Sequence, residues 1–253
     1  MKLTLLGTGD FRPYRPLGSA GYTLTNGDDM LQLDFGRGNL VNMAKSGIDW
    51  TVLHAVCISH VHPDHISDLF QFLQAWTVTN AWKEIDSELV IYGPRGFSAF
   101  FEHYRTVLVT TWDKLPQIVE IYDDTFTVQG FTVTTKSMQH STDCNGYRVE
   151  AGGKVLCYTG DTEINSNLLE LAQGADVLLT ECSGKNADEL LANQYGHLRP
   201  TDIAAIANQS GVKKVVVTHY PDDPAERELR IAEIAKEYKG QIIRGEDLLE
   251  IDF

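Results

Sequence analysis

The eleven residues SHVHPDHISDL, Ser59 to Leu69, place three histidines and an aspartate between His60 and His65, directly after an apolar run. Imidazole suits a fold only sparingly, because burying it demands partners for two ring nitrogens and its charge is unsettled near neutral pH. His60 and His62 are two apart, so in an extended segment their side chains leave on the same side. Pro63 bars a helix from beginning earlier and hands the chain over to Asp64 and His65. One turn therefore delivers four ligand-type side chains, and the fold must end a strand at this point.

Hydrophobic periodicity supplies the frame around that turn. LTLLG, GYTLT, DMLQLDFG and HAVCISH read as short strands punctuated by glycine or aspartate. HISDLFQFLQAW carries Ile66, Leu69, Phe70, Leu73 and Trp76 at helical spacing, and LVIYGPRG returns to a strand and turn. The second half repeats the texture. TFTVQGFTVTTKSMQH, GYRVEAGGKVLCYTGD and DVLLTECS predict strands, followed by a helix in LRPTDIAAIANQSG, with Thr201 as its cap, a strand in KKVVVTHY and a helix in ERELRIAEIAKEY. TVTNAWKEIDS, Thr77 to Ser87, reads as a loop. Antiparallel strands early in each half, strands alternating with helices later, and no linker between the halves predict one α/β domain over residues 1–253, with two mixed sheets face to face and helices outside.

His140, Asp161 and His219 each follow an apolar strand, in SMQHST, CYTGDT and VVVTHY, so all three emerge at loop ends where a sheet can aim them. With His60, His62, Asp64 and His65 they make seven ligand-type residues on a common rim. Imidazole and carboxylate suit zinc, manganese or iron, and the set holds no thiolate to favour a closed structural zinc site. The four cysteines, Cys57, Cys144, Cys157 and Cys182, stand singly and read as buried small hydrophobes. A net charge of −14 opposes the wrapping of long nucleic acid. MKLTLLGTGD is too short an apolar core for a signal peptide, and no apolar stretch approaches the ~20 residues of a membrane helix, so a cytoplasmic protein is expected.

HVHPDH matches the H-x-H-x-D-H signature of the metallo-β-lactamase superfamily, and His140, GDT and THY resemble that family's remaining metal motifs. LGTG, YGPRG, GDT, TEC and GHLRPTDIA look most like its ribonuclease Z branch and the small phosphodiesterases related to it. The resemblance implies the four-layer αββα sandwich and two divalent metal ions, zinc first, with manganese or iron as alternatives. It gives His60, His62, His140 and Asp161 to one ion and Asp64, His65, Asp161 and His219 to the other, with Asp161 bridging. Two cations about 4 Å apart lower the pKa of a shared water toward roughly 7 and polarise a phosphoryl oxygen. By the same likeness Asp64 accepts the proton of the attacking water, His197 is the proton donor to the leaving group, and Glu181 orients His197.

Two departures bear on the substrate. The branch inserts a tRNA-gripping arm between its third histidine motif and GDT, whereas His140 to Asp161 leaves room for a hairpin. RPYRPLGSAG only approximates the branch's P-x-K-x-R-N loop, and Arg12 and Arg15 there are either solvated or hold a phosphate. A small or short phosphodiester is the expected substrate. A hydrolase of carboxylic substrates such as a lactone or thioester is the alternative, and a non-catalytic binding protein the third. Members of the resembled family often pair as homodimers, for which FQFLQAWTVTNAW offers a contact surface if it is not used in the core.

Overall fold

The computed structural model describes residues 1–12, 16–108, 114–221 and 223–253. Its β-prone runs build two sheets of seven strands. The first contains β1 (Lys2–Gly7), β2 (Gly21–Asn26), β3 (Asp29–Leu33), β4 (Ala55–Cys57), β5 (Val90–Gly93) and β6 (Gln117–Glu120). The second contains β7 (Thr125–Val128), β8 (Phe131–Met138), β9 (Cys144–Ala151), β10 (Lys154–Tyr158), β11 (Val177–Glu181), β12 (Lys214–Thr218) and β13 (Gln241–Arg244). β14 (Glu250–Asp252) returns to pair with β1. In each sheet an antiparallel meander continues into parallel strands: β1, β2 and β3 lead into β4–β6, and β7, β8 and β9 lead through β10 into β11–β13.

The alternation of side chains along a strand explains how two sheets and their helices share these residues. Leu3, Leu5, Tyr22, Leu24 and Leu33 of the first sheet meet Val133, Tyr147, Val149, Leu179 and Val216 of the second in the central core. The intervening residues face outward. Val56 and Ile91 pack beneath α1 (Asn39–Lys45), α2 (Pro63–Ala81) and α3 (Phe97–Leu108) through Met43, Leu69, Trp76 and Phe97. Leu178, Val215 and Val217 pack beneath α4 (Ser166–Ala172), α6 (Pro200–Ser210) and α7 (Pro224–Glu237) through Leu168, Ile203 and Ile234. Strands covered on both faces read as unbroken apolar runs, which is why VVV of β12 shows no alternation in sequence. Each such side chain taken wholly out of water contributes about 1.5–3 kcal/mol. The result is the expected αββα layering.

Two local expectations are corrected. Thr77–Ala81, expected as loop, continues α2. The Thr79 hydroxyl donates back to Ala75 O at 2.7 Å, the Asn80 amide donates to Trp76 O at 2.9 Å, and the buried Trp76 anchors the face, so side-chain bonding and burial carry the helix past its β-branched residues. Thr201 lies inside α6 rather than capping it. Arg199 is the N-cap, Pro200 opens the helix, and Asp202 accepts from the Arg199 backbone N–H at 3.0 Å, while Thr201 donates to Asn186. Of the aromatic run proposed as a contact surface, Phe72, Leu73 and Trp76 are in the core and Trp82 is exposed. Among the described residues no helix is long and apolar enough to cross a membrane.

The topology sets one rim. β8 and β10 are both antiparallel to β9, so they run the same way, and β10, β11 and β12 are mutually parallel. Their C-terminal ends therefore share an edge, as do those of parallel β3 and β4 across the sandwich.

Candidate metal centre

The β4 turn puts fully buried His60 and His65 beside partly buried His62 and Asp64. His62 is the N-cap of α2, with Pro63 at its first position, so Asp64 and His65 leave from the first helical turn. The chain passes so close that a Cβ on Gly36 would meet Asp64 O at 2.1 Å, which requires glycine there.

The seven expected donors converge in two groups. His60 Nε2 lies 2.9 Å from His62 Nδ1, and His140 Nε2 lies 3.2 Å from the same nitrogen. Asp64 Oδ2 lies 3.0 Å from His219 Nε2 and 3.7 Å from His65 Nε2. Asp161 stands between the groups: its Oδ2 is 3.9 Å from His60 Nε2 and 3.6 Å from His219 Nε2, and its Oδ1 is 3.5 Å from His65 Nε2. The segment between His140 and Asp161 is the β9–β10 hairpin.

Four of the five histidines are held from behind. Ser59 Oγ is 3.0 Å from His60 Nδ1, Asp34 Oδ2 is 2.7 Å from His65 Nδ1, Gly196 O is 3.0 Å from His140 Nδ1, and Ser183 Oγ is 2.9 Å from His219 Nδ1. An imidazole engaged at its far nitrogen turns the other lone pair toward the pit. Asp34 also accepts from Ser59 N at 2.6 Å, Ser59 Oγ at 2.7 Å and Tyr158 OH at 2.5 Å. Asp34 and His219 both adopt left-handed φ, 53° and 46°, an uncommon conformation that concentrates at functional sites. Sequence reasoning missed these four partners. An acid closing the apolar strand LQLDFG was the single available signal, for Asp34.

Burial, then repulsion from His65, holds His60 well below the usual imidazole range, and burial, then His140, lowers His62. Both therefore keep a free lone pair at neutral pH. Burial opposes charge on His219 and on Asp64, yet Asp161 lifts His219 to about 9 and His65 holds Asp64 down to about 2. The pit is a lattice of carboxylates and imidazoles whose protons a divalent cation would replace. His65 Nε2 and Asp161 Oδ1 are buried without a hydrogen-bond partner, a cost of about 1–3 kcal/mol each that coordination would remove. These orphaned donors and a nitrogen–oxygen ligand set fit divalent metal ions.

A further pair stands at the edge. His197 Nδ1 is 3.0 Å from both carboxylate oxygens of buried Glu181, which also accepts from Thr162 N at 2.9 Å and Ser183 N at 3.1 Å. Burial opposes a charge on His197, but the Glu181 carboxylate outweighs it and raises the pKa. His197 Nδ1 lies 4.0 Å from Asp161 Oδ2. Gly196, in a left-handed conformation at the end of α5 (Glu189–Tyr195), brings this segment against His140, where a Cβ would meet the His140 Cα at 2.7 Å. The pit opens into a cavity of about 620 Å³ lined by His62, Asp64, His140, Asp161, His197 and His219, with Asp10, Phe11 and Arg12 also on its wall. Arg12 pairs with Asp10, and Arg15 lies outside the described residues.

Ribonuclease Z of Mycobacterium bovis (strain BCG / Pasteur 1173P2) is 29% identical over 279 aligned residues, covering 100% of this chain and 98% of that one. The metallo-beta-lactamase fold protein YhfI from Bacillus subtilis superposes with a TM-score of 0.86 at 23% identity, covering 99% of each chain. Zn(2+)-bound PqqB from Methylobacterium extorquens superposes with a TM-score of 0.76 at 18% identity, covering 100% of each. The profile of the Beta-lactamase superfamily domain matches residues 36–220, a span that contains every donor of the pit. This chain belongs to the beta-lactamase superfamily.

Proposed function

We propose that this metallo-hydrolase of the beta-lactamase superfamily is a phosphodiesterase acting on a small or short phosphodiester with two divalent metal ions. His60, His62, His140 and Asp161 would hold one ion, and Asp64, His65, His219 and Asp161 the other, with zinc the first choice. When bound, such a pair supplies a water of lowered pKa and withdraws charge from a phosphoryl oxygen.

The observation that carries this reading is the His197–Glu181 pair beside the donor cluster. Phosphodiester cleavage expels an alkoxide that needs a proton. Glu181 fixes the His197 ring through Nδ1, which leaves Nε2 to hold and deliver that proton, a service worth about 10²- to 10⁴-fold. Asp64, whose Oδ2 sits 3.0 Å from His219 Nε2, is the proton acceptor for the attacking water. The ribonuclease Z relative supports phosphoryl chemistry. A short substrate is favoured by the −14 net charge and by the hairpin that occupies the span between His140 and Asp161.

The test is elemental analysis followed by a panel of bis(p-nitrophenyl) phosphate and a lactone, with Asp64→Ala beside the parent protein. Turnover of the phosphodiester that disappears in Asp64→Ala supports the reading. Turnover of the lactone alone overturns it in favour of acyl hydrolysis.

A further inference from the structure

Resting on the phosphodiesterase reading, we infer that the substrate carries a flat apolar group next to its phosphate, received by Phe11, Leu191 and Tyr195. These three side chains are 65%, 53% and 51% exposed, and all line the cavity that holds the donor cluster. Large apolar side chains gathered at the wall of one cavity mark a binding surface, and a volume of about 620 Å³ suits a small ligand. Leu191 and Tyr195 are four apart on α5 and so stand on one face of it, the face turned to the cavity. Leu190 on the same helix is 87% exposed and is not part of the wall. Phe11 is set on a turn in which Asp10 accepts from the Arg12 backbone N–H at 3.1 Å and pairs with the Arg12 guanidinium. That guanidinium carbon lies 4.7 Å from the Phe11 ring centroid, so one face of the ring is backed by a cation while most of the ring stays exposed.

Charge argues the same way. Among the described residues of the wall, the three cations stand beside two carboxylates: Arg12 pairs with Asp10, while Lys185 at 3.2 Å and Arg230 at 3.9 Å share Glu226, and Arg230 also donates to Gly184 O. Asp188 adds a further negative group. Such a wall offers a polyanion no net positive charge, whereas an ester with one negative phosphate and an aromatic ring buries the ring against it.

The test compares diphenyl phosphate with dimethyl phosphate by titration calorimetry on the metal-loaded protein. Diphenyl phosphate is expected to bind at least about tenfold more tightly. Phe11→Ala and Tyr195→Ala should each reduce that preference, the double variant should bring it near unity, and Leu190→Ala should keep it. Equal affinities in the parent protein, or a preference intact in the double variant, would overturn the inference. Hydrolysis of bis(p-nitrophenyl) phosphate and methyl p-nitrophenyl phosphate, which share a leaving group, is measured in parallel. The double variant should raise KM for the diaryl ester with little change in kcat. If neither ester is cleaved while the binding preference holds and depends on Phe11 and Tyr195, the phosphodiesterase reading falls and the apolar subsite stands. If both are cleaved without a preference, this inference falls and that reading stands.

Discussion

Asp34 Oδ2 accepts a hydrogen bond from His65 Nδ1 at 2.7 Å, and neither residue has exposed surface. This carboxylate decides which nitrogen of His65 faces the pit. Asp34→Asn keeps the shape and removes the charge, so zinc affinity at the site should fall about 10- to 100-fold. Calorimetric titration with Zn²⁺ checks it, and an unchanged affinity would show that Asp34 does not orient the ligand.

The two donor groups predict a stoichiometry. Elemental analysis of the parent protein should find two divalent ions per chain, while His62→Ala and His219→Ala should each retain no more than one. Chelation should lower the Tm of the parent protein, because an ion bound only by the folded state stabilises it by mass action. A Tm indifferent to chelator and to added Zn²⁺ would count against metal at these residues.

If His197 delivers a proton, its loss should matter most where the leaving group needs one. His197→Ala is expected to lower kcat by about 10²- to 10⁴-fold for an alkyl leaving group and far less for p-nitrophenolate, which departs unprotonated. Metal content should be unchanged. Equal losses on both leaving groups would remove the proton-donor role from His197.

All four cysteines are buried and unpaired by disulfides, and burial pushes the Cys157 and Cys182 thiols up to about 12. Ellman's reagent should therefore find no reactive thiol in the native protein and four after unfolding. Prompt labelling of the native state would disprove this picture of the core.

Trp76 is wholly buried and its indole N–H donates to Ser87 Oγ at 2.8 Å. Trp76→Ala should cost about 3–5 kcal/mol, read by urea unfolding, because it opens a large cavity and leaves a hydroxyl unpaired. A loss below 1 kcal/mol would mean that α2 is held by other contacts.

What was legible in the sequence was local. Alternation followed by a proline puts His60, His62, Asp64 and His65 on one turn without reference to the rest of the chain, and the long faces of α2, α6 and α7 show their 3.6-residue period. The short helices α1, α4 and α5 bury few residues each, so their period is too brief to stand out. The backing partners were hidden for a different reason. Asp34 reaches His65 across 31 positions and Ser183 reaches His219 across 36, pairings created only when the strands are laid side by side. Phe11 and Tyr195 resemble ordinary loop and helix residues until both are found on the wall of one cavity.

The seam between the sheets has a mechanical consequence. His60, His62, Asp64 and His65 hang from one sheet, whereas His140, Asp161 and His219 hang from the other. Ions seated among them would act as rivets through both plates at this rim, so stripping them should loosen that joint first, and amide exchange should quicken there before it does in the core.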